Sequence, residues 1–291
     1  MTLTAIIVTI LTTVFSIITS VINFGLLYNL FVSKELKKSK NLTLFYIRFA
    51  VDGLLGIGDF FMMLLIFFKL FQIDYLLISF QSIVFIIQWP IKNLQCIRAI
   101  LVIIINLDRD FAVFFPMPYY RFRKNVANSV ISAIPFCYTI VENYILFGAC
   151  EYKLRIPEGC VLLICSTNEC YITYAIWFEA VTHILIAIVS SALVLKLFLL
   201  NRCLMKSQGE YLEKANFLAL IDTFMIIIFN IIPALIIAKN QQTMQLEEFG
   251  NLLTFGKVTG YALEAFLVYK TLKKVQATTS NVVVFNVKNS H

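Results

Sequence analysis

Seven long apolar runs divide this chain, at roughly 6–32, 42–68, 79–107, 129–149, 171–199, 217–238 and 252–269. Each is long enough to supply the about 20 apolar residues with which a helix crosses the hydrocarbon core of a bilayer. A composition that is 60% hydrophobic, with a mean hydropathy of +0.84, lies well above the about half apolar content of soluble domains. The short connections leave no room for a separate soluble domain. The reading is an all-α membrane protein with one membrane domain over 1–275 and a short disordered tail over 276–291, which has too little apolar surface to fold alone.

The segments between the runs split by charge. Lys34, Lys37, Lys38 and Lys40, then Arg109, Arg121, Arg123 and Lys124, then Arg202, Lys206 and Lys214, and finally Lys270, Lys273, Lys274 and Lys288 fall on alternate connections. The other set carries only Lys69, Lys153, Arg155 and Lys239. Cationic loops stay in the cytosol. An odd number of spans with this bias predicts a seven-transmembrane helix bundle with its N-terminus outside and its C-terminus cytosolic. The net charge of +7 is therefore topological, and nucleic acid is not an expected partner. Residues 1–32 lack the basic start and short apolar core of a cleaved signal, so the first run is expected to act as its own insertion signal, with few residues ahead of it.

Four of the seven cysteines, Cys150, Cys160, Cys165 and Cys170, lie in the 149–170 connection. This topology puts them in the oxidising space, where disulfides form. At least one bond is expected there, and the sequence leaves three pairings open. The Asn41-Leu42-Thr43 sequon lies on the cytosolic side and is not expected to carry a glycan.

Ionisable groups at membrane depth are costly unless paired or turned inward, and they mark functional sites by default. The second run holds Arg48, Asp52 and Asp59. Arg48 and Asp52 are four apart and can pair; Arg48 is close enough to the cytosolic end to snorkel. Asn23 is the strong polar group of the first run. In the third run Trp89-Pro90 interrupts the helix, and Arg98, about 16 Å from Arg109 along a helix, falls mid-membrane. Pro233 is expected to kink the sixth run. Asn93, Arg98, Glu142, Tyr174, Trp177, Glu179 and Lys257 lie at similar depth and would converge on a ligand pocket if they face inward. Opposite charges among them could instead neutralise one another as structural bridges. No metal site is expected, since His183 is a lone histidine in an apolar run, and there is no enzyme signature such as a phosphate-binding glycine loop or a zinc-protease motif.

The most specific local pattern is Leu107-Asp108-Arg109-Asp110, followed by Phe111 through Pro116 and then Tyr119-Tyr120-Arg121-Phe122-Arg123. It resembles the end of the third helix in rhodopsin-type receptors. Together with Phe45 through Gly56 it more closely resembles the nematode serpentine chemoreceptor family Srbc, over roughly 5–275. The resemblance implies a G-protein-coupled chemosensory receptor in the plasma membrane of a sensory cilium. Its partners would be a small-molecule ligand, a heterotrimeric G protein and the bilayer, with homo- or hetero-oligomers left open. It implies that Arg109 is a switch held by Asp108, with Pro116, Tyr120 and Arg121 in the coupling loop, and that no cofactor is needed. The pattern departs from rhodopsin-type receptors at Asp110, where a tyrosine is usual. No cysteine sits at the outer end of the third run. There is no tryptophan two residues before Pro233 and no Asn-Pro before Tyr269. That last absence, and the spacing from Lys257 to Tyr269, speak against a retinal Schiff base on Lys257. Two other classes compete with the receptor reading. One is a ligand-gated cation channel of the insect odorant-receptor type, whose reverse orientation the charge bias opposes. The other is a small-solute transporter, which the absence of internal repeats opposes.

Overall fold

The computed structural model describes residues 3–33, 42–71, 81–123, 125–154, 156–157, 160–203, 220–221, 224–233 and 252–271. These are helices joined by short connections, with no strand among the described residues. In order they are α1 (Leu3–Phe31), α2 (Thr43–Leu70), α3 (Gln81–Phe114), α4 (Pro116–Arg123) and α5 (Asn128–Asn143), which continues as a π turn over Tyr144–Ala149. The short α6 (Leu163–Ser166) and the long α7 (Glu169–Cys203) follow. A helical segment, α8, covers 224–233 and contains a π turn at Ile227–Ile231; α9 covers 252–271. Leaving out the short α4 and α6, each of the seven apolar runs meets one of these helices. The tail 276–291, Asp222 and the side chain of Cys203 lie outside the described residues.

Four helical stretches, Leu3–Phe31, Thr43–Lys69, Asn128–Ala149 and Glu169–Lys196, are long and apolar enough to cross a membrane. The polarity of α1 says what surrounds them. Its buried face is Thr9, Thr12, Ser16, Thr19 and Asn23, at helical spacing, ending in Leu26 and Leu30. Its exposed face is Ile7, Ile10, Leu11, Val14, Ile17, Val21 and Phe24. In water this would be inside out. In lipid the outward side chains are solvated by acyl tails, and small hydroxyl residues let backbones approach closely. Thr9, Thr12, Thr13 and Ser16 each return their hydroxyl to the carbonyl four residues earlier, at 2.7–2.8 Å. Ser20 donates to the Gly53 carbonyl of α2 at 3.2 Å. Beside it a Cβ at Gly56 would lie 2.7 Å from the Ser16 carbonyl, so only glycine fits there.

The central element is α3, which packs against α2, α5 and α7. It runs unbroken through Pro90, correcting the expected interruption at Trp89-Pro90. The ring of Pro90 faces outward while Trp89 is buried. In a bundle, neighbouring groups and small backbone adjustments absorb the missing donor. At Pro233 the local departure is the π turn just before it. Proline cannot donate to the Phe229 carbonyl four residues back, and that carbonyl lies against Gly256 of α9, where an added Cβ would sit 3.1 Å away.

Both ends of the bundle are fastened. At one end Cys150 pairs with Cys170 and Cys160 with Cys165, so all four cysteines of this connection are bonded. Cys96 is free and buried, Cys137 free and exposed. Behind the disulfides Phe85, Trp89, Leu146, Tyr152 and Tyr171 form an aromatic plug, with Trp89 donating to Asn143 at 3.0 Å. At the other end α3 leads through Asp108 and Arg109 into α4.

Candidate functional site

Three polar assemblies lie along α3. The deepest is a closed ring of charges from three helices. Arg48 of α2 meets Asp52 one turn later at 3.3 Å. Asp52 accepts from Arg98 of α3 at 2.7 Å, Arg98 meets Glu264 of α9 at 2.8 Å, and Glu264 returns to Arg48. All four side chains are at most 5% exposed. Two cations alternate with two anions, so the ring is neutral as a unit, and buried charge is tolerable only when it is paired in this way. Tyr261 lies under Arg98, its ring centre 4.0 Å from the guanidinium carbon. Arg48 thus points into the core and does not snorkel: two carboxylates hold it there, and Phe45 and Phe49 flank it.

The second assembly is a cavity of about 40 Å³ on the disulfide side of the ring. Its polar lining includes Lys92, Arg98, Glu179, His183, Asn230 and Lys257; Val102, Ile186 and Ile226 form its apolar wall. Lys257 of α9 is bonded to Glu179 of α7 across it. Among the pocket candidates, Arg98, Glu179 and Lys257 therefore come together here.

The remaining candidates lie elsewhere. Glu142 is fully buried and accepts from Tyr171 at 2.5 Å and Tyr174 at 2.8 Å; Tyr174 also meets Tyr138. This clasp ties α5 to α7. Asn93 bonds back to the Trp89 carbonyl at 2.9 Å and is not in the cavity lining. Trp177 is 68% exposed, contrary to its placement in a pocket. The inward face of α7 repeats at Tyr171, Tyr174, Phe178, Thr182 and Ile186, and Trp177 falls off that face. Asn23 donates to the Thr19 carbonyl at 2.9 Å, while Asp52 is engaged in the ring.

The third assembly closes the opposite end. Arg109 is bonded to its neighbour Asp108, and both are buried. Asp108 also accepts from Tyr119 and from Arg123 of α4, each at 3.0 Å. Arg123 in turn donates to the Val126 carbonyl at 3.0 Å and to Asn128, the first residue of α5. Burial, with Asp108 alongside, lifts the Tyr119 phenol above its ordinary range, so it stays a donor. Pro116 opens α4 and is exposed, as is Arg121; the side chain of Tyr120 lies outside the described residues. Two residues that touch Asp108, Tyr119 and Arg123, were not among the sequence candidates. Between cavity and lock, Asn106 donates to Ser190 of α7 at 2.9 Å, both fully buried.

Helices that turn apolar faces outward and keep neutralised charges within define a multi-pass helical membrane protein. The family model described as serpentine type 7TM GPCR chemoreceptor Srbc matches residues 1–276, and the chain belongs to that family. Membership carries the seven-helix architecture and the chemoreceptor class, which is not a class of enzymes. No curated protein matches the chain.

Proposed function

We propose that this protein is a chemosensory receptor that takes a small environmental chemical into the cavity beside Lys257 and signals to a heterotrimeric G protein at the Asp108–Arg109 end. The observation that carries this reading is that one helix bears both sites. On α3 the cavity begins at Lys92 and the lock stands at Arg109, about 26 Å away along the axis. A ligand that disturbs the Lys257–Glu179 bridge would bias the packing of α7 and α9 against α3. A shift in that packing can release Arg109 toward a partner, as a population change between two arrangements. The cavity as it stands is far below the about 300–1,000 Å³ of ordinary ligand pockets, which suits a resting state or a very small ligand. The loop-charge bias orients the disulfide end outside and the Arg109 end in the cytosol. Residence in the plasma membrane of a sensory cilium follows from family kinship. Channel and transporter readings gain less support, because the deepest charges close on one another instead of lining a path.

Two experiments test this. A glycosylation sequon placed within 151–159 should be used while a pH-sensitive fluorescent tag on the C-terminus reports the cytosol; the reverse pattern sinks the orientation. Arg109→Ala should abolish G-protein activation at normal surface level, and unchanged surface-normalised signalling would remove Arg109 from the mechanism.

A further inference from the structure

We infer that the cavity recognises the carboxylate of a small organic anion, held between Lys92 and Lys257. The inference rests on the reading of this cavity as the ligand site and names its ligand class.

The argument is one of charge balance. The ring around Arg98 has four corners, two cations and two anions, each contacting its opposites. Arg98 is thereby satisfied and brings no spare charge to the cavity it borders. Above it the polar wall has three charged corners. Lys257 bridges Glu179, and Lys92 lies within electrostatic reach of the same carboxylate. Lys92 lines the cavity half-buried, yet it has no hydrogen-bond or ion-pair partner among the described residues. Asp59, a buried acid of α2, and Glu142, held by Tyr171 and Tyr174, do not line the cavity. Among the described residues the cavity lining therefore sets two lysines against one carboxylate. An anion entering between the two lysines would complete a second alternating set of four.

Two further features narrow the class. Asn230 is 6% exposed and lines the cavity, and its Oδ1 has no donor among the described residues. A buried acceptor left unpaired costs free energy that a ligand hydroxyl or N–H would recover. Val102, Ile186 and Ile226 form one buried apolar cluster on the same cavity, which suits a short hydrocarbon body. A volume of about 40 Å³ admits a few water-sized groups, so the ligand is compact.

The test is thermal unfolding of the purified full-length chain in nanodiscs. The probes are acetate and propionate, their methyl esters, and ethylamine and propylamine as amines of matched skeleton. The acids should raise the unfolding temperature of the wild type and of Lys92→Arg. Lys92→Gln should weaken their apparent affinity about ten- to a hundredfold, as loss of a charge-assisted hydrogen bond does. Lys92→Gln alone should fold at least as well as the wild type, since it removes a lysine with no partner among the described residues. Ala99→Phe, which fills the cavity, should abolish the response. Stabilisation by esters or amines in place of acids, or an acid response that survives Lys92→Gln, overturns the anion class while leaving the cavity reading intact. A response that survives Ala99→Phe puts the ligand elsewhere and overturns both. Indifference to all six probes also overturns the anion proposal.

Discussion

Arg98 and Glu264, 166 positions apart, meet at 2.8 Å in the middle of the bundle. Through Asp52 and Arg48 the same contact closes into a ring that joins α2, α3 and α9. Breaking a buried pair by removing one partner leaves an uncompensated charge and costs about 3–5 kcal/mol. Glu264→Gln should therefore lower the unfolding temperature and the surface yield sharply. Arg48→Gln added to Glu264→Gln removes one cation and one anion and should recover part of the loss. The comparison is by detergent thermal unfolding of the wild type and the two variants. A single variant as stable as wild type would mean that the ring does not hold the bundle together.

The bond between Cys150 and Cys170 closes a separation of 20 residues at the mouth of α7. Loops of this size are worth about 3 kcal/mol in the chain-entropy account. Alkylation without reduction should leave Cys150, Cys160, Cys165 and Cys170 unlabelled and should mark the exposed Cys137. Mass spectrometry of peptides reads this directly. The Cys150→Ser, Cys170→Ser pair should lose stability, and it should also loosen the clasp between Glu142 and Tyr171 just inside. Labelling of any of the four loop cysteines in the unreduced protein contradicts the pairing.

How much of this was legible in the sequence depends on the distance over which each fact is decided. The spans were legible because each rests on one continuous apolar run. The Arg48–Asp52 pair was legible because four residues make one helical turn. Glu264 was not read as their partner, since nothing local to α9 says which helices it will face. Polarity also misled. Arg48 looked free to snorkel, and it does not, because carboxylates from two helices hold it inward. The hydroxyl stripe of α1 was visible only as scattered Thr and Ser until packing gave it a face. At the Arg109 end the sequence singled out Tyr120 and Arg121, whereas the contacts to Asp108 come from Tyr119 and Arg123. One residue is about 100° around a helix, so register decides which side chain reaches back, and α4 is too short for a pattern to fix it.

Asp108 is the shared acceptor of Arg109, Tyr119 and Arg123. Asp108→Asn removes the charge that holds Arg109 and should raise basal signalling in a surface-normalised assay. Tyr119→Phe deletes one hydrogen bond, worth about 0.5–1.5 kcal/mol, and should give a smaller rise in the same direction. Basal signalling unchanged in both variants would mean that this contact does not restrain the receptor.

Gly260 of α9 faces Phe229 of the π turn in α8. A Cβ there would lie 2.8 Å from the Phe229 Cβ, closer than packed carbons tolerate. One turn earlier, Gly256 faces the Phe229 carbonyl. The two glycines, four apart, form the small-residue seam that lets membrane helices approach closely. Gly260→Val should force α8 away from α9 at a cost of about 1–3 kcal/mol, as overpacking does. Because Asn230 and Ile226 sit on the same segment and line the cavity, the displacement should also change the ligand response. Gly25 has nothing within 4 Å of an added Cβ, so Gly25→Ala serves as the control and should leave stability and response near wild type. Thermal unfolding and dose–response on the two variants separate the outcomes: equal behaviour of Gly260→Val and Gly25→Ala would mean that α8 and α9 do not need the glycine seam.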